Sequence, residues 1–278
     1  MKIEKNIDLS SFTTINIGSK GNLIWLENTQ DFKILCELKE KLFLLGNGSK
    51  LLLSNNIKKY IFVKLGKNFS YVHRKDNKII VGGSTTTKEL IKWCIENEIQ
   101  GLEFLAGIPG TMAGIVSMNG GAFGECIADF LQGVKIYNRS EEAYLSKQDL
   151  NPTYRHIDIN EETIIYEIYL KNFRKGKTKE IIKIVDSFLN RRKNSIPQQP
   201  SLGCIFKNPK DAPAGFLIEK VGLKGYMIGD AQISLKHANI FINRGKATFE
   251  DVMKLIELAH KMVYDKFGIF LEREVIIP

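Results

Sequence analysis

No apolar run in the chain approaches the ~18 residues that a membrane crossing requires, so no spanning helix is expected. The opening segment Met1–Asp8 lacks the apolar core of a secretory leader. Cysteine is scarce and scattered. Cys36, Cys94, Cys126 and Cys204 stand far apart with no C-x-x-C pair, which argues against a zinc site or a compact disulfide framework, so no metal is expected. Like charges do not run together either. Lys and Arg number 40 against 31 Asp and Glu, a formal net charge of +9, yet no block of five or six basic residues forms a nucleic-acid arm. The excess reads mostly as a solvated lysine-rich surface, with a bias toward small anionic partners. Glycine (23) and proline (7) are too few for a fibrous or low-complexity chain, and no repeat recurs at a period of 20–50 residues. A soluble cytoplasmic protein of 278 residues, long enough for more than one domain, is the expectation.

The first third alternates strand-like and helix-like patterns. Leu42–Leu45, Tyr60–Leu65 and Ile79–Val81 are short apolar runs of β type. Thr86 followed by Glu89 fits a capping box for a helix over Thr86–Asn97, with Leu90, Ile91 and Cys94 on one face. From Gly101 to Gly124 glycine becomes dense, which points to tight turns and exposed backbone N–H groups. Strands are expected at Val134–Tyr137 and Ile164–Leu170, followed by the polar stretch Arg174–Lys179. Arg191–Pro200 reads as a boundary. A helix capped by Thr248 and Asp251 carries the stripe Val252, Leu255, Ile256, Ala259, Met262 and Val263 and stops at Gly268. Ile269–Leu271 and Val275–Ile277 are expected to form a last strand.

Two nucleotide motifs fail. Gly46-Asn47-Gly48 begins a G-x-G-x-x-G fingerprint, but Leu51 stands where its third glycine should be. Gly176-Lys177-Thr178 resembles the end of a P-loop, but Lys171 occupies its first glycine position. Taken alone, Gly46–Ser49 fits a turn as well as an anion-binding nest. The second glycine cluster, Gly107–Gly114, favours a long, bent anionic ligand lying against backbone.

Gly101–Gly114 and Asn119–Gly124 resemble the signature blocks of the UDP-N-acetylenolpyruvoylglucosamine reductases, the MurB family. Thr13–Gly18, Gly46–Ser49, Tyr154-Arg155, Pro200–Pro209 and Leu271–Val275 match further blocks in the family's order. Between the last two lie Gly222–Gly225, Ala231–Ser234 and His237–Asn239, and the resemblance covers nearly the whole chain. It implies an α+β fold of the vanillyl-alcohol-oxidase (PCMH) type: two FAD subdomains (1–66 with 269–278, and 67–190) and a C-terminal substrate-binding α+β domain (191–268). The chain between Arg155 and Arg191 is short, like the family's type II form.

By the same resemblance the activity is NADPH-dependent reduction of UDP-N-acetylglucosamine enolpyruvate to UDP-N-acetylmuramate through tightly bound, non-covalent FAD. Gly46, Asn47, Gly48, Ser49, Gly107, Ile108, Pro109, Gly110, Ala113 and Gly114 would hold the cofactor. Negative charge develops on the enolpyruvyl group in this reaction, which calls for cationic or hydrogen-bonding groups and an acid. Arg155 and Glu274 would stabilise that charge, Glu274 donating a hydrogen bond only if a buried or like-charged setting keeps it protonated. Cys204 stands where many members have a proton-donating serine, a departure from the pattern. A thiol, with a reference pKa near ~8.5, is the stronger acid. Lys224, Gln232, His237 and Asn239 would reach the substrate. The partner expected is a UDP-sugar, with no nucleic acid and no membrane, and the protein is expected to be a monomer. Without the resemblance, Arg155 reads as a surface ion-pair residue, Glu274 as an exposed strand residue and Cys204 as a small core residue. The alternatives are another FAD oxidoreductase on the same fold and a non-catalytic nucleotide-binding module.

Overall fold

Ile61, Phe62 and Val63 are consecutive and all buried. Such a run belongs in the middle of a sheet covered on both faces. The computed structural model, which describes residues 1–278, places it there. The chain forms two compact units. The first comprises Met1–Lys5, Asn22–Asn47 and Lys59–Arg191, and the second Asn6–Gly21, Gly48–Lys58 and Arg192–Pro278.

In chain order the elements begin with β1 (Lys2–Asp8), β2 (Lys20–Leu26), α1 (Ile34–Glu37), β3 (Lys41–Leu44) and β4 (Tyr60–Leu65). These four strands form a sheet in the order β1-β2-β4-β3, with β4 parallel to both neighbours. Next come β5 (Val72–Lys75), β6 (Lys78–Gly82), α2 (Thr87–Glu96), β7 (Ile99–Gln100), α3 (Met112–Ser117), β8 (Gly121–Ala122) and β9 (Glu125–Cys126). β10 (Leu131–Tyr137), β11 (Glu142–Ser146), β12 (Ile164–Leu170), β13 (Arg174–Lys175) and α4 (Thr178–Ser195) follow. The antiparallel sheet β11-β10-β12-β6-β5 is the scaffold of the first unit. Its core takes Ile79 and Val81 from β6, Leu90 and Cys94 from α2, and Ile168 and Leu170 from β12. α2 starts at the expected capping box: Thr86 N–H donates to Glu89 Oε2 (2.7 Å) and Glu89 N–H to Thr86 Oγ1 (3.2 Å).

The second unit adds β14 (Ser201–Cys204), α5 (Ala214–Lys220), β15 (Met227–Ile228), β16 (Ala231–Ile233), β17 (Ile240–Asn243) and α6 (Phe249–Phe267). Its sheet runs β14-β17-β16-β15 and packs on the expected apolar stripe of α6. Gly268 closes that helix at φ 67°. Two early segments complete this core, because Ile15, Ile17 and Leu52 are buried with Phe206, Phe241 and Leu255. Backbone bonds hold the first of them: Ser201 N–H donates to Thr14 O (3.1 Å), and the buried Asn243 Nδ2 to Ile15 O (2.9 Å).

The structure departs from the sequence reading at two places. The polar stretch at Arg174 and the boundary at Arg191 flank a continuous 18-residue helix, α4, which buries Ile181 and Val185. Charged residues along the helix dilute its apolar stripe, and no proline interrupts it before Pro197. The last strand is absent. The closing segment makes only isolated bridges, Phe206 with Arg273 and Leu51 with Ile276, because Glu272–Glu274 pairs with one short segment and Ile276 with another. Within the second compact unit, residues 269–278 fall together with 192–268 and with Gly48–Lys58.

The Asn243 carboxamide also accepts from Gly245 N–H (2.8 Å) and Ala247 N–H (3.0 Å). Asn243→Ala would leave a buried carbonyl and two N–H groups without partners. It is expected to lower stability by about 2–3 kcal/mol, read as an earlier midpoint in urea unfolding followed by circular dichroism. An unchanged midpoint would show that these bonds do not hold the early segment in place.

Candidate active site

In the first unit Gly46 lies against Thr111, within the second glycine-rich segment. A Cβ at Gly46 would stand 2.8 Å from Thr111 Oγ1, so glycine is what lets the loop after β3 lie against the cap of α3. Thr111 caps α3 through Gly114 N–H (3.4 Å). The Gly107–Gly114 segment is laced to residues 83–87: Thr87 Oγ1 donates to Ile108 O (2.5 Å), Thr87 N–H to Gly110 O (3.1 Å) and Ala113 N–H to Gly83 O (3.0 Å). Leu45 N–H goes to Val63 O and Leu51 N–H to Gly48 O, and the N–H groups of Gly46, Asn47, Gly48 and Ser49 between them have no acceptor in the chain. Pro109 has no N–H to give.

Sequence reasoning missed Lys64. Its ammonium donates to Gly46 O and lies 5.7 Å from the centroid of the Trp25 ring. Burial pulls its pKa from the ordinary 10.5 down to about 8. A period-2 reading of β4 sees only one polar position in a strand and gives no reason to look at it.

Arg155 stands in a tight turn, with Thr153 N–H donating to His156 O (2.9 Å) and His156 N–H to Thr153 O (3.2 Å). Its φ of +57° is the left-handed region, a strained setting for a non-glycine residue. Asn119 anchors the turn by donating from Nδ2 to Thr153 O (2.8 Å) while its Oδ1 accepts from Ala128 N–H (3.2 Å). Arg155 Nη2 donates to Gly121 O (3.1 Å), and its guanidinium lies over the Tyr154 ring at 5.3 Å. Asn119 and Gly121 of the glycine-rich block therefore hold the Arg155 turn and its guanidinium. The exposed His156 ring pairs with Asp158 (3.0 Å).

In the second unit Cys204 and Glu274 come together. Ile205 and Phe206 are laced on one side to Asn239 and on the other to the closing segment. Ile205 N–H donates to Asn239 O (2.8 Å), Phe206 N–H to Asn239 Oδ1 (3.0 Å), and Glu274 N–H to Ile205 O (2.8 Å). Glu274 is only 8% exposed. Its Oε1 lies 2.9 Å from Lys50 Nζ, which also donates to Cys204 O (2.6 Å). Lys50 is a second residue that sequence reasoning missed, although it directly follows the Gly46–Ser49 loop. Its charge is opposite to the like charge considered for keeping Glu274 protonated. Cys204 is a half-buried thiol, outside any disulfide. Burial holds the Arg192 guanidinium below the usual arginine range, and negative charge on Cys204 would oppose that shift.

Comparison with known proteins gives this arrangement a family. Residues 196–278 match the profile described as UDP-N-acetylenolpyruvoylglucosamine reductase, C-terminal domain, and residues 31–143 match an FAD binding domain. The UDP-N-acetylenolpyruvoylglucosamine reductase of Thermotoga maritima is 36% identical over 96% of this chain and 95% of its own. That of Campylobacter jejuni (strain RM1221) is 37% identical over 98% and 99%. The crystal structure of the reductase (MurB) from Thermus caldophilus superposes with a TM-score of 0.87 at 30% identity, covering 100% of this chain and 99% of that one. The chain belongs to this family.

The reductase family's C-terminal domain contains the four remaining candidates. Two have side chains committed to the fold. Gln232 donates to Gly225 O (3.0 Å) and accepts from Arg244 (3.1 Å), and Asn239 donates to Phe206 O (2.8 Å) besides accepting from Phe206 N–H. Lys224 pairs with Glu219 (3.0 Å). His237 Nδ1 accepts from Asn239 N–H (3.3 Å), and burial, aided by Lys224, holds its imidazole below the ordinary value of 6.5. FAD is the cofactor of the reductases. The residues present fit it, since the successive N–H groups of Gly46–Ser49 have no acceptor in the chain and can serve an anion.

Gly48 has φ +60°, and a Cβ there would fall 2.1 Å from Phe12 O and 2.9 Å from Thr13 Cα, both backbone atoms. Gly48→Ala is expected to lower both bound flavin and melting temperature, measured by the absorbance ratio of flavin to protein and by thermal unfolding. Full flavin content would mean that the loop shifts freely.

Lys64 generates a pH prediction. The unfolded chain keeps that proton up to about 10.5 and the native state releases it near 8, so between these values the unfolded state binds more protons. Raising the pH through this window stabilises the native protein relative to Lys64→Met, by at most about 1.4 kcal/mol per pH unit. Urea midpoints of both proteins from pH 7 to 10 test it: parallel profiles would contradict the buried ammonium.

Proposed function

We propose that Arg155, Cys204 and Glu274 carry the chemistry of the reduction that this family performs, in which UDP-N-acetylglucosamine enolpyruvate becomes UDP-N-acetylmuramate with NADPH as reductant, a step of peptidoglycan precursor synthesis. The observation that carries the assignment is that one ammonium, Lys50, bonds both the Cys204 backbone carbonyl and the Glu274 carboxylate. FAD, when bound, relays hydride equivalents from NADPH to the enolpyruvyl double bond. Gly46, Asn47, Gly48, Ser49, Gly107, Ile108, Pro109, Gly110, Ala113 and Gly114 would hold it, with Lys64 behind Gly46 as a positive charge.

The chain's own residues handle charge and proton. Arg155, held in its strained turn, presents a fixed guanidinium for the enolpyruvyl carboxylate. The Cys204 thiol gives its proton to the carbon that bears the developing charge, and the resulting thiolate regains one from water. Glu274 lies beside that carbon under this reading, its charge balanced by Lys50. Lys224 and His237 face the nucleotide, Lys224 as a point charge for phosphate. Gln232 and Asn239 act through the backbone they hold. The assignment of residues 1–66 with 269–278 and 67–190 to two FAD subdomains, and of 191–268 to the substrate, belongs to the same proposal. So does the short type II form, supported by the direct run from Arg155 through β12 and β13 to α4. A monomeric cytoplasmic enzyme without membrane or nucleic-acid partners completes it, and no helix is long and apolar enough to cross a membrane.

The test couples a spectrum to turnover. Purified protein should show flavin bands and oxidise NADPH only when UDP-N-acetylglucosamine enolpyruvate is added. Cys204→Ala should lower kcat by about 10²-fold or more, and Cys204→Ser should recover most of it. Full activity in Cys204→Ala would remove the thiol from the mechanism. NADPH oxidation sustained by oxygen without the nucleotide would point instead to an oxidase on this fold.

A further inference from the structure

Lys50 contacts both Glu274, through its carboxylate, and Cys204, through its backbone carbonyl. Its Nζ stands 2.9 Å from Glu274 Oε1 and donates to Cys204 O at 2.6 Å. The contact is well sheltered, with side-chain exposures of 20% for Lys50 and 7% for Glu274. The lysine backbone is fixed as well, because Ile276 N–H donates to Lys50 O (2.8 Å) two residues beyond Glu274. A buried carboxylate next to a carbon on which negative charge accumulates would oppose that charge, the more strongly in a low-dielectric site. An ammonium in direct contact removes the opposition without requiring a neutral carboxyl group.

We propose that Lys50 is a positioning residue for the reduction: it neutralises Glu274, so that anionic charge can form beside it, and fixes the Cys204 backbone that carries the acid. This rests on the assignment of Cys204 and Glu274 given above. The charge-balancing role separates from a structural one in a double-mutant cycle. Removing the lysine is harmful when Glu274 keeps its charge and nearly harmless once that charge is gone.

The experiment uses the flavin-loaded enzyme with NADPH and UDP-N-acetylglucosamine enolpyruvate. Lys50→Met is expected to lower kcat by about 10²-fold with KM changed less than about 3-fold, because the loss falls on the transition state. Lys50→Arg should recover kcat to within about 5-fold, and the neutral hydrogen-bonding Lys50→Gln should not. In a Glu274→Gln background, Lys50→Met should cost less than about 3-fold further. Cys204 alkylation by iodoacetamide, read on its own peptide by mass spectrometry, should change rate in Lys50→Met, since the carbonyl clamp is gone. If Lys50→Met does not retain flavin, the Arg and Gln variants decide: equal kcat in both overturns the charge role. An undiminished kcat in Lys50→Met, or the same loss in the native and Glu274→Gln backgrounds alike, also overturns it. Should Cys204→Ala and Glu274→Gln both keep full kcat, the site assignment itself fails. If those two lower kcat and Lys50→Met does not, only the role of Lys50 fails.

Discussion

The second unit hangs on the backbone of Ile205 and Phe206. Asn239 grips this pair with its main-chain carbonyl and with both ends of its carboxamide, and the closing segment takes the opposite edge through Glu274 N–H and Lys207 N–H. Two neighbours in sequence thereby fix two residues distant in sequence, Cys204 on one flank and Glu274 on the other. Asn239 is 1% exposed, so its amide would be costly to bury without these partners. The chemistry of the unit is set by main-chain hydrogen bonds first and by side-chain charge second.

Glycine works here by absence of volume. Gly46 admits the Thr111 side chain, and Gly48 admits the Phe12 carbonyl, so each draws a second segment close to the Gly46–Ser49 loop. Neither Gly46 nor Gly48 has room for a side chain, and the four N–H groups of the loop have no acceptor in the chain. Fixed donors suit a diphosphate because they need no reorganisation when the ligand arrives. Lys64 adds a charge behind the same loop, and its burial raises the energy of that charge until an anion offsets it.

Much of this was legible in the sequence where local chemistry decides structure. The Thr86–Glu89 and Thr248–Asp251 boxes mark their helices because the capping bonds lie within four residues, and Tyr60–Leu65 reads as a strand because its run is largely apolar. The Gly101–Gly114 and Asn119–Gly124 blocks, with those around Arg155, Cys204 and Glu274 in order, resemble the family whose relatives match from end to end. What stayed hidden depends on distance along the chain. α4 has an apolar stripe interrupted by charges, and its burial shows only once Ile181 and Val185 meet the first core. The closing segment has strand-like composition, but its pairing is divided between Phe206 and Leu51, so no ladder forms. Asn239 and Gln232 read as polar surface residues with ligand-binding chemistry, and only the fold reveals that backbone groups occupy them.

Lys50 carries the same lesson into the chemistry. Its neighbours in sequence belong to the Gly46–Ser49 loop, while its ammonium points to Glu274, near the far end of the chain. A carboxylic acid could help an anionic intermediate only by holding a proton, which demands an environment hostile to its charge. A carboxylate paired with a lysine reaches a comparable electrostatic result by another route: the pair is neutral as a whole, and its cationic end remains available to negative charge. The two routes differ in what they require of the surroundings. The first needs isolation from cations. The second needs a cation held at hydrogen-bond distance by a rigid backbone, and the Ile276–Lys50 bond together with the Cys204 carbonyl provides that rigidity. The geometry of this chain meets the second requirement.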